Sequence, residues 1–170
     1  MSRAFTQDDD ERPEAPPERA ISDQPNYMTQ RGHEAMHRQL EELRRRRETL
    51  KSSEALEGES DLALVERDIR YFTTRLASAI VVPPQTGTPE RVAFGTRVHF
   101  EDEQGNAHCY RIVGEDEALA SAEEQPEHTT RPLSWASPLA RALMGASVGD
   151  TVVWPRPSGN ITIEVTAIEA

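Results

Sequence analysis

Two runs of apolar residues at heptad spacing, joined by a short polar stretch, constrain the fold of this chain more than any other feature. The first run consists of Met36, Leu40, Leu43 and Leu50, at steps of four, three and seven residues. Arg47 stands at the heptad position between the last two, where an apolar residue would be expected. In the second run steps of three and four alternate without a break: Leu62, Val65, Ile69, Phe72, Leu76 and Ala79. Because such positions share one face of a helix, two helices can bury them against each other. The sequence predicts an antiparallel coiled-coil hairpin over residues 26–82, with Thr29 capping the first helix and arms of about 30 Å.

Residues 1–25 have the composition of a solvated leader. They contain the acidic run Asp8-Asp9-Asp10-Glu11, four prolines and a few apolar side chains without periodicity. A segment of this kind cannot bury enough apolar surface to offset the entropy that it loses on ordering. We therefore predict a disordered acidic leader over residues 1–25.

The second half of the chain changes from helical to strand periodicity. Residues 83–90 contain three prolines and Gly87, which mark a linker. Beyond the linker, apolar and polar residues alternate and predict strands over residues 91–101, 108–113, 151–155 and 160–168. Ser137 and Pro138 begin a short helix that ends at Leu143, and residues 118–131 are predicted to be a flexible loop. The predicted fold class is α+β: a helical hairpin, followed over residues 91–170 by an antiparallel sheet with one short helix.

The charge balance narrows the classes of partner. The net charge is −11 and the isoelectric point is about 4.9, so the chain is a poor candidate for a free-standing nucleic-acid binder, which needs concentrated Lys and Arg. The single cysteine, Cys109, cannot form an internal disulfide. No apolar run approaches the roughly 20 residues of a membrane span, and no signal peptide is visible. We therefore expect a cytoplasmic protein that does not bind membranes.

Two charged clusters in the predicted hairpin each allow two interpretations. The acidic residues at its tip form either a solvated turn or a metal-binding group: Glu54, Glu57, Glu59 and Asp61. The arginines along both arms are either solvated and paired with nearby glutamates, or form a basic patch that faces nucleic acid or a partner: Arg44, Arg45, Arg46, Arg67 and Arg70. No aromatic side chains interleave these arginines, which argues against sequence-specific RNA binding.

Six segments carry motifs that stand in the same order in a known family. They are residues 26–32 (NYMTQRG), 66–72 (ERDIRYF), 94–98 (FGTRV), 110–117 (YRIVGEDE), 134–145 (SWASPLARALMG) and 148–150 (VGD). The later motifs are long, ordered and correctly spaced. On these segments the chain resembles, from about residue 26 to its last residue, the Gre family of bacterial transcription elongation factors, with details closer to the GreB branch.

The resemblance implies a fold and a mode of action. The fold is an N-terminal coiled coil with a C-terminal FKBP-like domain. In the family that domain grips RNA polymerase at the rim of its secondary channel, and the coiled coil enters the channel. Two acidic side chains at the tip help to hold a Mg²⁺ ion of the polymerase active site, so polymerase and not the factor cleaves the RNA.

For this chain the resemblance implies a non-enzymatic monomer that binds RNA polymerase and has no cofactor of its own, apart from that shared Mg²⁺. It also implies contact with nascent RNA or DNA inside the complex. The residues that it assigns to polymerase docking are Gly114, Asp116, Glu117, Ser137, Pro138, Leu139 and Arg141.

The tip of the hairpin departs from the pattern of the family. Cleavage factors carry a run like GDxSENAxY, which this chain lacks, and alignment of both flanks leaves the hairpin about 15 residues short, or about 10 Å of reach. Two functions stay open: a factor that stimulates transcript cleavage, or a non-cleaving relative that modulates or inhibits polymerase through the same channel. A third, a prolyl isomerase or chaperone that uses the FKBP-like domain, is disfavoured because this domain has few aromatic residues to line a pocket and the fold alone does not license isomerase activity.

Overall fold

A computed structural model describes residues 15–52, 58–124 and 130–170. The N-terminal elements are β1 (Tyr27–Thr29), α1 (Gln30–Ser52), α2 (Gly58–Ala77) and β2 (Ile80–Val82). The C-terminal elements are β3 (Arg97–Asp102), β4 (Ala107–Val113), α3 (Glu115–Glu124), β5 (Arg131–Ser134), α4 (Pro138–Leu143), β6 (Thr151–Trp154) and β7 (Ile161–Glu169). The predicted α+β class is confirmed, because a helical pair precedes a sheet that carries short helices.

The predicted heptad positions form the seam between α1 and α2. Met36, Leu40 and Leu43 of α1 are buried, as is Val65 of α2. Thr29 caps α1 as predicted, since its Oγ1 accepts a hydrogen bond from the backbone N–H of Gly32 at 2.9 Å. The 23 residues of α1 and the 20 residues of α2 span about 34 and 30 Å.

A two-stranded parallel sheet, absent from the sequence prediction, closes the base of the hairpin. β1 pairs with β2 in a register that runs from Tyr27 opposite Ile80 to Thr29 opposite Val82. Beside it Asn26 is buried, and its Nδ2 donates to the backbone carbonyl of Arg75 at 2.7 Å and to Ser78 Oγ at 3.0 Å. These contacts join the start of α1 to the end of α2, so the two arms cannot splay at the base.

The C-terminal domain is a mixed five-stranded sheet in the order β5-β4-β3-β7-β6. Its pairs are antiparallel except β4 with β5, which is parallel, so the expectation of a purely antiparallel sheet was wrong. β5 escaped prediction because this strand holds a proline and only one large apolar residue, Leu133, and so has no alternation. The core lies between the sheet and α4: Val98, Phe100, Ile112, Leu143, Ile163 and Val165 are buried in it.

Two other elements differ from the prediction. The strand predicted from residue 91 begins only at Arg97, because a turn precedes it in which Gly95 has φ +89° and Thr96 bonds back to Ala93. The predicted loop over residues 118–131 is in part helix α3. Its three N-terminal acids favour the positive end of a helix, and its alanines have the highest helix propensity. Helix α4 is as predicted, with Ser137 accepting from the N–H of Ala140 at 3.2 Å.

The segment predicted to be a disordered leader is only partly described. Residues 1–14 lie outside the described residues, whereas residues 15–25 form an irregular segment that contacts α2. The Arg19 guanidinium lies 3.8 Å from the centre of the Tyr71 ring, and Glu18 pairs with Arg70. The average composition of the segment misled the prediction, because two adjacent charged side chains are enough to dock it on a complementary helix face. Within the described part of the chain, no helix combines the length and apolarity that crossing a membrane requires.

Candidate docking site at the hairpin base

A buried ion pair joins the hairpin to the C-terminal domain. Arg75 of α2 is only 3% exposed, and its Nε donates to Asp116 Oδ2 at 2.7 Å. The Asp116 carboxylate, 11% exposed, also accepts from the hydroxyl of Tyr71 at 2.5 Å through its other oxygen. Glu115 adds a second negative charge 3.9 Å from the guanidinium. One carboxylate at the start of α3 therefore holds two side chains of α2, and we call Tyr71, Arg75 and Asp116 the latch.

A second polar contact links the start of α1 to α3. The hydroxyl of Thr29 donates to Glu117 Oε2 at 2.6 Å while the same oxygen caps α1. Gly32 makes room for this carboxylate, because a Cβ at that position would lie 2.5 Å from Glu117 Oε2. The capping hydroxyl thus also fixes α3 against the hairpin.

Gly114 allows the two parts to approach closely. A Cβ on Gly114 would lie 2.5 Å from the backbone carbonyl oxygen of Tyr27, so any other residue would push β1 away from β4. The Tyr27 ring packs edge-on against Trp135 at a centroid distance of 5.1 Å and lies tilted against Phe94 at 6.0 Å. Backbone and aromatic contacts therefore continue the interface that the latch begins.

The structure divides the residues that the sequence assigned to polymerase docking into two groups. Gly114, Asp116 and Glu117 face the hairpin and form the interface inside the chain, not an outer surface. Among the residues of the α4 motif, Ser137 caps the helix and Leu139 is buried in the core. Pro138 and Arg141 are exposed.

The exposed side of α4 has the character of a docking surface. Met144 and Val148, which follow the helix, are large apolar side chains that remain exposed. Together with Pro138 and Arg141 they form what we call the α4 surface. Exposed apolar side chains beside a cation are typical of a surface that a protein partner covers.

Each of the five arginines predicted as a basic patch is paired with a carboxylate. The pairs are Arg44 with Glu41 at 2.7 Å, Arg45 with Glu42 at 3.8 Å, Arg46 with Asp61 at 3.3 Å, Arg67 with Asp68 at 2.8 Å, and Arg70 with Glu18. All but the half-buried Arg67–Asp68 pair are exposed, and exposed pairs contribute little to stability, but the pairing cancels the field that would attract phosphate. This geometry favours the interpretation as a solvated, paired helix face.

The acidic tip is described only in part. Glu54 and Glu57 lie outside the described residues. Glu59 and Asp61 stand in the first turn of α2, where the helix dipole favours negative charge, and Asp61 pairs with Arg46 across the hairpin. Within residues 15–52, 58–124 and 130–170, no group of three or more His, Cys, Asp or Glu side chains is arranged to hold a metal ion.

The latch predicts an unusual tyrosine titration. Burial, then the hydrogen bond to the Asp116 carboxylate, raises the pKa of Tyr71 from 10 to about 12. Because the folded pKa lies above the unfolded one, the stabilisation is complete below pH 10 and disappears as the pH rises towards about 12. A titration of phenolate absorbance with rising pH should therefore show a phase at high pH, which Tyr71→Phe removes and Tyr110→Phe retains. A high-pH phase that survives Tyr71→Phe would contradict the assignment.

Comparisons with known proteins agree with the sequence motifs. A family model described as "Transcription elongation factor, GreA/GreB, C-term" matches residues 87–170. The chain is 36% identical over 115 residues to a transcription elongation factor GreB of Neisseria meningitidis, covering 67% of this chain and 66% of that protein. It is 36% identical over 117 residues to GreB of Haemophilus influenzae, covering 69% of each, and 32% identical over 130 residues to GreA of Zymomonas mobilis, covering 76% of this chain and 77% of the relative.

Solved structures similar to the chain include Gfh1 of Thermus thermophilus, at 25% identity over 86% of this chain and 100% of that one, with a TM-score of 0.38. A GreA/GreB factor of Nitrosomonas europaea is 19% identical over 86% of this chain and 99% of that one, also with a TM-score of 0.38. The family membership of the chain therefore rests on the sequence matches and not on these structures. By the family model and these relatives, the chain belongs to the GreA/GreB family of transcription elongation factors.

Proposed function

We propose that this chain docks on RNA polymerase through the α4 surface and regulates elongation by placing its hairpin in the secondary channel. The observation that carries the proposal is the division of the docking motifs. Pro138 and Arg141 face solvent beside exposed apolar side chains, while Asp116 of the other motif holds the hairpin from within. One motif is thus available to a partner, and the other sets where the hairpin points.

The latch and its neighbouring contacts make the base of the hairpin rigid, and this rigidity matters for the position of the tip. A hairpin arm of about 34 Å magnifies any rotation at its base, so the tip can be positioned only if the base is rigid. The buried Arg75–Asp116 pair, the Thr29–Glu117 hydrogen bond and the close approach at Gly114 supply that rigidity from three directions. Docking on polymerase then fixes the position of the tip as well.

On this proposal the chain is not an enzyme and works in the cytoplasm as a monomer on polymerase. Any metal chemistry would use the Mg²⁺ of the polymerase active site, towards which only the tip carboxylates could contribute ligands. Contact with nascent RNA or DNA would have to displace carboxylates from the paired arginines, so it would be secondary to the protein contact.

A specific observation favours the second candidate, a non-cleaving relative that occupies the same channel. The described arms are short, and Asp61, one of the tip acids, is engaged by Arg46 at 3.3 Å. A carboxylate held by a guanidinium is a poorer metal ligand than a free one. This pairing supports the second candidate, in which the chain occupies the channel without stimulating cleavage.

Polymerase binding tests the proposal directly. We expect Pro138→Asp and Arg141→Glu each to weaken the affinity for core RNA polymerase by about tenfold or more, because each places a new carboxylate in the centre of the α4 surface. Arg131→Glu is the matched control, since it makes the same charge change on β5, at the opposite edge of the sheet from β6, which packs against α4. Unchanged affinity in both α4 variants, with folding intact, would rule out this docking surface.

A further inference from the structure

Residues 15–25, which we call the strap, connect surfaces that belong to different parts of the fold. Near the middle of the strap, Glu18 pairs with Arg70 of α2, and Arg19 lies over the rings of Tyr71 and Phe72 and 3.7 Å from Asp68. Towards its end, Gln24 Oε1 accepts from Arg141 of α4 at 2.9 Å. The strap therefore reaches from the second arm of the hairpin to the α4 surface.

The strap contacts two arginine side chains that are suited to bind a partner. Arg141 is the cation of the α4 surface, and its guanidinium donates a hydrogen bond to Gln24 Oε1. Arg70 is an exposed arginine of α2, and Glu18 neutralises it. A partner that placed its own carboxylates on Arg141 and Arg70 would have to displace Gln24 and Glu18 from them.

These contacts are weak enough to be displaced. Glu18 and Arg70 are 62% and 56% exposed, and ion pairs between groups so exposed to water contribute little. The contacts that hold the hairpin to the C-terminal domain are made by other residues, because the Arg75–Asp116 pair and the Thr29–Glu117 hydrogen bond include no residue of the strap. A segment that engages the cation of a docking surface through replaceable contacts is suited to competition, not to structural support.

We propose that the strap is autoinhibitory: it competes with RNA polymerase for the α4 surface and must leave Arg141 and Arg70 when polymerase docks. This inference rests on the proposed function. The apparent affinity of a protein is reduced by the fraction of molecules in the binding-competent state, so a strap seated about 90% of the time weakens docking about tenfold. Salt screens the Glu18–Arg70 pair, so the inhibition should be strongest at low ionic strength.

The test compares the affinity of core RNA polymerase for the unmodified chain and two variants at low salt. We expect Glu18→Ala combined with Gln24→Ala to bind about threefold to tenfold more tightly, because the two strap contacts that occupy Arg70 and Arg141 are lost while the α4 surface and the contacts of Arg19 are unchanged. Asp23→Ala is the matched control: it removes the same single negative charge as Glu18→Ala, from an exposed strap residue for which no ion pair is recorded in the described part of the chain.

Each outcome decides something. Tighter binding by the double variant and unchanged binding by Asp23→Ala support the strap. Equal gains in affinity by both variants would mean that net charge alone acts. Unchanged or weaker binding by the double variant would mean that the strap does not compete. Either result overturns the inference and leaves the proposed function standing. Failure of every form, including the unmodified chain, to bind polymerase would overturn the proposed function and the inference with it.

Discussion

Replacement of Asp116 by alanine is expected to lower the free energy of unfolding by about 3–5 kcal/mol, because it leaves a buried guanidinium without its close partner. Arg75 is 3% exposed, and the nearest remaining carboxylate among the described residues, that of Glu115, stands 3.9 Å away. The same change leaves the Tyr71 hydroxyl without its acceptor. A urea unfolding curve followed by circular dichroism measures the effect as a lower midpoint.

A double variant separates the unpaired charge from the simple loss of contacts. Arg75→Met with Asp116→Leu removes both charges and keeps apolar volume, so we expect it to be more stable than Asp116→Ala alone. Glu117→Ala is a milder comparison, because its partner, the Thr29 hydroxyl, is uncharged. If the free energy of unfolding of Asp116→Ala lies within about 1 kcal/mol of that of the parent chain, the latch contributes no more to stability than an exposed ion pair does.

This expectation changes how a polymerase-binding defect at Asp116 should be interpreted. The family resemblance assigns Asp116 to docking, so a variant that fails to bind polymerase would support that assignment. In the structure the carboxylate instead holds α2, and its loss would free the hairpin base. Binding data on Asp116 variants therefore have meaning only beside their unfolding curves, whereas exposed Arg141 reports on docking without that complication.

The local features of the fold could be predicted because each depends on neighbours in the sequence. Heptad spacing depends on residues three and four apart, and it correctly placed Met36, Leu40 and Val65 in the seam. The Thr29 cap and the Ser137-Pro138 start of α4 follow from backbone groups within one helical turn. β1 and β2 escaped because each is three residues long, too short for alternation to be visible.

The latch could not be predicted, since its partners lie more than 40 residues apart and charge is common on helix surfaces. The sequence analysis assigned Asp116 to docking, grouped Arg75 with the arginines of the basic patch and noted Tyr71 only as part of a family motif, whereas the structure buries Arg75 against Asp116. One signal was available: Tyr71 and Arg75 are four residues apart on α2 and stand directly beside the seam positions Phe72 and Leu76. A face next to the seam at the hairpin base must meet the second domain, and a buried cation there requires an acid.

The last prediction concerns transcript cleavage, where the expected effect is the presence or absence of an activity. We expect the unmodified chain to bind polymerase and to leave cleavage of backtracked RNA at background. The family's tip run is missing from the sequence, and α1 and α2 have 23 and 20 residues, so the arms reach only about 34 and 30 Å. Of the two described tip acids, Glu59 and Asp61, the second is paired with Arg46, which leaves it poorly placed to share a Mg²⁺ ion.

A gain-of-function variant makes this prediction sharp. Insertion of about one heptad in each arm, together with the acidic run that cleavage factors carry, should confer cleavage on halted polymerase complexes, since about 10 Å of reach is restored. The matched control has the same longer arms with alanines in place of the inserted acids, and it should stay at background because Mg²⁺ needs oxygen ligands. Glu59→Ala with Asp61→Ala in the natural chain should change nothing. If the natural chain instead stimulates cleavage strongly and Asp61→Ala abolishes it, the short hairpin reaches the active site after all, and the geometry of its tip must differ from the paired arrangement with Arg46.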